Sequence, residues 1–219
     1  NNMWSNYGMT FVEYLYLEKF KKNSSHIKIK GQEVIENIIK NKKRVIFVSG
    51  HFANFELMSM ELVKSGINLA TIYRPLNNFF INPFMERIRK KFICENQIKK
   101  GLPGMRLTIN YLKENYSIAL MIDQRVSEGI RLPFFNKKAF TTTVPAQLAL
   151  KYNCDIVPVC IKRMPDNKFE MNIFNPIKLE KSEDIEKDKI NISLMLNKKI
   201  EELITENPDQ WIWTHNRWK

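Results

Sequence analysis

His51 and Glu56 are the residues of this 219-residue chain whose types and spacing best suit chemistry, five positions apart in Val48-Ser49-Gly50-His51-Phe52-Ala53-Asn54-Phe55-Glu56. An imidazole titrates near neutrality. A carboxylate beside it can fix which ring nitrogen carries the proton, leaving the other free as a general base. Residues five apart on a helix are rotated by about 140°, so the two cannot share a helical face. The histidine is therefore expected in a turn and Glu56 in the first helical turns, with the ring folded back so that Glu56 accepts a hydrogen bond from it. A capped turn with a satisfied histidine would show the same spacing, so the pair alone does not establish catalysis.

The elements that must hold this pair follow from the hydrophobic pattern. Residues 44–49 (RVIFVS) read as a buried strand, Gly50 permits a sharp exit, and a helical pattern runs from Asn54 toward Val63. Further strands are expected near 67–73, 117–122 and 155–162, with another over Lys168 to Asn175. Helices are expected near 31–40, 53–65, 80–92, 104–115 and 143–152, and a last long helix carries the stripe Ile192, Leu196, Ile200, Leu203. Thr10 to Lys22 is amphipathic, with Phe11, Tyr14, Leu15, Leu17 and Phe20 on a broad apolar side. Alternating strands and helices predict an α/β fold, a single domain in which helices flank a mixed central sheet.

Three more segments place polar groups beside strand ends, where sites of open α/β sheets collect. Ile72-Tyr73-Arg74-Pro75 supplies a guanidinium fork suited to phosphate or carboxylate. Ala119 to Arg125 ends an apolar run in Asp123-Gln124-Arg125, and Asp123 can hold Arg74 or His51, or cap a turn. Pro133-Phe134-Phe135 precedes Thr141-Thr142-Thr143-Val144-Pro145, which marks a helix start and offers small polar side chains to a site.

The ordered blocks HFANFE, IYRP, IDQR, PFF, TTTVPAQLALKY and WIWTHNRWK resemble the late acyltransferases of bacterial lipid A biosynthesis, the lauroyl/myristoyl type. These form a branch of the lysophospholipid and glycerophosphate acyltransferase superfamily, and the resemblance runs from about Trp4 to Lys219. It implies a glycerophosphate-acyltransferase-like fold, with His51 as catalytic base and Glu56 as its acidic partner in a His-X4-Glu motif. Arg74 and Asp123 match the family's YRP arginine and strand-end aspartate. Arg89 best matches a further arginine of the following helix, with Arg87 as the alternative. By the same resemblance the donor is acyl-carrier protein as its acyl thioester, with no cofactor. The acceptor is a lipid A precursor glycolipid, and the location is the cytoplasmic face of the inner membrane. Lysophospholipid, glycerol phosphate or another glycolipid remains an alternative acceptor.

The family usually carries an N-terminal membrane helix, and no stretch here approaches the ~20 apolar residues needed to span a bilayer. The opening Asn1-Asn2 reads as that of a shortened chain, with residues 1–30 as a juxtamembrane amphipathic helix region of one 1–219 acyltransferase domain. Lys plus Arg outnumber Asp plus Glu 35 to 23, a formal net charge of +12 that favours an acidic partner. A membrane surface, an acidic carrier protein and nucleic acid all qualify on charge. The basic runs belong to no nucleic-acid motif, so no nucleic acid is expected, and a basic nucleic-acid-binding module is the distant rival. Cys94, Cys154 and Cys160 form no CxxC pair, and with three histidines they make no zinc set. No metal is expected, and the isolated thiols suit a reducing compartment. The C-terminal Trp211, Trp213 and Trp218 beside Arg217 and Lys219 suit either a membrane interface or a tail packed on the sheet.

Overall fold

A computed structural model of the chain describes residues 2–219; Asn1, the first residue of the expected domain, lies outside them. In chain order the elements are α1 (Asn2–Glu13), a 3₁₀ turn (Tyr14–Tyr16), α2 (Leu17–Lys22), β1 (Ile27–Lys30), α3 (Gln32–Lys40), β2 (Val45–Ser49), α4 (Glu56–Lys64) and β3 (Leu69–Tyr73). They continue with α5 (Ile81–Ile88), a π-helical turn (Arg89–Ile93), β4 (Asn96–Lys99), α6 (Leu102–Lys113), β5 (Ser117–Met121), β6 (Ile130–Phe134) and β7 (Lys137–Thr141). α7 (Val144–Tyr152), β8 (Asp155–Arg163), β9 (Phe169–Ile173), α8 (Ile185–Glu206) and a 3₁₀ turn (Pro208–Gln210) complete the chain.

Seven strands form one sheet in the order β1-β9-β8-β2-β5-β3-β4, and β6 and β7 form a separate hairpin. Every pairing in the large sheet is parallel except β8 with β9, so the sheet is mixed as expected. The central strands read as unbroken apolar runs because helices cover both faces. All five residues of β2 are buried, and its side chains alternate between two cores. Val45 and Phe47 join Ile35, Ile38, Leu57 and Met58, whereas Ile46 and Val48 join Leu148, Ile192, Leu196 and Ile200. β8 pairs with β2 through Asp155–Pro158 and with β9 through Val159–Arg163. Pro158, which has no N–H to give a ladder, stands where β8 changes partner.

Three expectations need correction. The 1–30 region is not helical throughout, because Ile27–Lys30 pairs as an edge strand with β9. The 3₁₀ turn at Tyr14–Tyr16 changes the residue period, so the apolar stripe of this region divides. Leu17 is buried and Tyr14 and Phe20 pack against the core, while Phe11 and Leu15 stay exposed. Pro133-Phe134-Phe135, for which no element was expected, lies in the hairpin, whose turn places Phe135 and Asn136 at φ 48° and 58°. The helix read over 80–92 ends as an α-helix at Ile88 and continues as the π-helical turn.

Gly31 caps α3 at φ +80°, and a Cβ there would lie 2.0 Å from the Ile173 carbonyl oxygen at the end of β9. Gly31→Ala must therefore displace backbone as well as adopt a left-handed conformation. A loss of about 2 kcal/mol or more is expected in urea denaturation, against a few tenths at an open site.

Candidate active site

Strand order brings the site together. β2 and β5 are adjacent and parallel with Ser49 opposite Met121, and the ladder continues through the Ile122 N–H, which donates to the Ser49 carbonyl at 2.9 Å. Two residues beyond that pair on each strand stand His51 and Asp123, so both leave the sheet side by side at its carboxyl end. The His51 Nδ1 lies 2.8 Å from Asp123 Oδ1, and the His51 backbone N–H donates to Asp123 Oδ2 at 2.8 Å. One carboxylate thus holds both the ring and the backbone of the histidine. With Asp123 accepting, the proton belongs on Nδ1 and Nε2 is the basic nitrogen. Phe55 packs edge-on against the imidazole, with centroids 4.6 Å apart.

The expected hydrogen bond from the His51 ring to Glu56 is not formed. Glu56 does begin α4, but its Oε1 accepts from Arg89 Nε at 2.8 Å, from Arg89 Nη2 at 2.5 Å and from Tyr14 Oη at 2.5 Å. A guanidinium fork satisfies a carboxylate better than one imidazole N–H does, and Asp123 already occupies the ring nitrogen. Of the two candidate arginines, Arg89 reaches the site and Arg87 is exposed. Arg89 starts the π-helical turn after α5, a local change of helical period of the kind found where a side chain must be aimed. Arg74 follows β3, is exposed, and forms no ion pair with a described carboxylate.

Two residues unassigned from sequence complete the support. Trp211 is buried and its Nε1–H donates to Asp123 Oδ2 at 2.7 Å. Arg217 is fully buried and donates to the Asp123 carbonyl at 3.3 Å and to Asn197 Oδ1 at 2.5 Å, with its guanidinium 3.9 Å from the Phe134 ring centroid. The C-terminal segment therefore packs inward through these two residues, leaving Trp213 exposed. Chain order gave no cue, since Asp123 and Trp211 are 88 residues apart.

The turn carrying His51 is pinned from three sides. Phe52 bridges to Trp211, and the Ile212 N–H donates to the His51 carbonyl at 3.2 Å. Ala53 stands at φ 43°, a left-handed conformation costing a non-glycine residue about 1–2 kcal/mol. Its N–H donates to the Gln210 carbonyl at 2.9 Å and its carbonyl accepts the Thr10 hydroxyl at 3.1 Å, which hold it there. Asn54 Nδ2 donates to Glu13 at 2.9 Å, and Glu13 pairs with Arg163. At Gly50 a Cβ would meet the Phe52 ring at 2.7 Å and Asp123 side-chain atoms at 3.3 Å, so the exit from β2 requires glycine for closeness.

Electrostatics follow from these contacts. Burial favours neutral His51, but the Asp123 charge and its hydrogen bond outweigh that and raise the histidine's pKa above its ordinary 6.5. Burial likewise opposes ionised Asp123, yet His51 and the donors around it lower its pKa to about 2. Burial and the Glu56 charge raise Tyr14, so its phenol stays a donor. His215 accepts the Arg125 N–H on Nδ1 at 3.2 Å; burial lowers its pKa, with His51, Arg74 and Arg125 adding to the effect. Among the described residues no group of histidine, cysteine and acidic side chains is arranged to hold a metal. The three cysteines are free and buried, and burial raises each thiol, Cys94 to about 11 and Cys160 to about 12.

Of the readings open to Asp123, the structure shows the one in which it holds His51, in place of the expected His51–Glu56 contact. The model of the bacterial lipid A biosynthesis acyltransferase family matches residues 1–219, the whole chain. The chain belongs to this family. It is 27% identical over 194 residues to the lipid A biosynthesis lauroyltransferase of Escherichia coli (strain K12). That alignment covers 86% of this chain and 60% of the relative, so the chain spans less than two thirds of the relative's length. His51 and Glu56 stand with four residues between them in this chain, while the ring contact goes to Asp123.

Trp211→Phe deletes one donor from a buried carboxylate while preserving an aromatic ring. A loss of about 1.5–3 kcal/mol is expected in thermal or urea denaturation. Stability within a few tenths of wild type would show that the Trp211 hydrogen bond contributes little to holding Asp123.

Proposed function

We propose that this chain transfers a fatty acyl group from an acyl-carrier-protein thioester to a hydroxyl of a lipid A precursor glycolipid. The observation that carries this reading is the 2.8 Å contact between His51 Nδ1 and buried Asp123, which leaves Nε2 as the base. As the acceptor hydroxyl oxygen bonds to the thioester carbonyl carbon, its proton passes to Nε2. The tetrahedral intermediate then expels the thiolate, which takes the proton back from Nε2, giving an ester and a free thiol. Asp123 stabilises the imidazolium formed between these steps without itself becoming protonated.

Glu56 acts here through its charge, which favours protonated His51, and through the place it gives Arg89. The Leu57 and Met58 N–H groups of α4 donate to the Asn54 and Phe55 carbonyls, so the backbone N–H groups just before them, at Phe55 and Glu56, are the candidate donors for the developing oxyanion. Arg74, exposed beyond β3, is the candidate clamp for phosphate on donor or acceptor, a role that the pairing of Arg89 with Glu56 makes less available to Arg89. The proposed setting is the cytoplasmic face of the inner membrane, where such an acceptor and a soluble carrier protein meet. Among the described residues no helix is long and apolar enough to cross a membrane.

The test is transfer of labelled acyl chains from acyl-carrier protein to defined acceptors, resolved by mass spectrometry. His51→Ala should lower kcat/KM by ~10²–10⁴-fold or more while the chain stays folded. In wild type, activity should rise with pH through the raised His51 pKa, because the base works only when neutral. Asp123→Asn removes the charge that raises it, so the acid limb should move to lower pH as the plateau falls. An unmoved limb would remove Asp123 from this role. Transfer to lysophospholipid or glycerol phosphate in place of the glycolipid would reassign the acceptor and keep the mechanism.

A further inference from the structure

The most anomalous surface lies beside the site. α5 has no buried residue although its sequence is INPFMERI, and Phe79, Phe80 and Phe84 are 72%, 79% and 62% exposed. Phe79 and Phe80 lie against each other, ring centroids 4.0 Å apart, and their nearest order comes from Asn78, whose side chain accepts the Phe80 and Ile81 N–H groups. Leu15, in the 3₁₀ turn after α1, is 83% exposed, and Phe11 is exposed one turn earlier. Scattered apolar residues on a surface need no explanation; aromatic side chains gathered on an element that buries nothing do.

Two contacts join these segments into one face. Tyr14 of the 3₁₀ turn and Arg89, directly after α5, meet on the same Glu56 oxygen. Lys21 of α2 donates through Nζ to the Lys91 carbonyl at 2.5 Å. The same segments present Lys19, Lys21, Arg87, Lys90 and Lys91, all exposed and none paired with a described carboxylate. Glu18 is committed to Lys22 at 2.7 Å and Glu86 to Lys99 at 3.1 Å, which leaves exposed Glu95 as one acid against Arg87, Lys90 and Lys91 around it. The face is therefore apolar with a basic border.

We propose that this face, the Phe79–Phe84 lip with Phe11 and Leu15 and the five cations around it, docks on an anionic lipid bilayer. Aromatic rings settle among headgroups and ring-side cations meet anionic lipid, each favouring the same orientation. A second copy of the chain fits worse, because two such borders would set like charges against each other. Docking by this face would set the Tyr14–Glu56–Arg89 junction toward the bilayer. The inference deepens the acyl-transfer reading and rests on it for the idea that the acceptor lies in that membrane.

The test is flotation of the purified chain with phosphatidylcholine vesicles, with and without phosphatidylglycerol. Binding should require phosphatidylglycerol and weaken with salt. The triple variant F79S/F80S/F84S and the charge variant R87E/K90E/K91E should each lose about tenfold or more in partitioning, with melting curves confirming that both stay folded. The triple variant should also lose activity on vesicle-embedded acceptor while retaining it on detergent-dispersed acceptor. Wild-type partitioning by both variants, or a concentration-dependent dimer that the serines abolish without vesicle binding by the parent, would overturn the proposal. Vesicle binding by this face without acyl transfer would refute the acyl-transfer reading and leave the docking face standing.

Discussion

The buried carboxylate of Asp123 is the constraint on which the site depends. It lies at the end of a central strand with its charge almost out of reach of water, and that is tolerable only because His51 gives it ring and backbone contacts, Trp211 an indole N–H, and Arg217 a nearby charge. Removing a donor leaves charge without compensation, which costs more than the hydrogen bond itself would suggest. The same contacts that stabilise Asp123 fix the orientation and tautomer of His51. Stability and chemistry are coupled at one side chain.

From this hub the distant parts of the chain become necessary. The C-terminal segment supplies Trp211 and Arg217, and its backbone grips Phe52, Ala53 and His51. α1 supplies Thr10 and Glu13 to the other side of the same turn. Without these, the left-handed Ala53 would have an easy route to relax, and the imidazole would leave its carboxylate. A second junction, Glu56 with Arg89 and Tyr14, ties α4 to the segment after α5 and to the N-terminal region. Two carboxylates five residues and one strand away from the histidine thus divide the work, one holding the ring and the other anchoring the surrounding elements.

Much of this was legible in the sequence, and the failures have physical causes. The strands at 45–49 and 117–121 were readable because both faces are covered and the runs are continuous. The five-residue spacing placed His51 in a turn and Glu56 at a helix start. It could not assign the ring's partner, because that depends on β5 lying beside β2, a fact of strand order and not of local pattern. The Phe135-Asn136 turn was missed because Phe is a poor cue for positive φ, and β1 because an IKIK edge strand is short and only half apolar. Arg217 lies in a charged, tryptophan-rich tail whose pattern suits a membrane interface or packing on the sheet alike, and burial against Phe134 and Asn197 decides for packing.

The central claim is that Asp123, not Glu56, orients the His51 imidazole, and ¹⁵N NMR of the histidine side chains tests it most directly. At a pH where His51 is neutral, its ring should show a protonated Nδ1 and a bare Nε2, and this pattern should survive Glu56→Gln. A ring protonated at Nε2 in the wild type, or a tautomer that switches when only Glu56 is changed, would contradict the account.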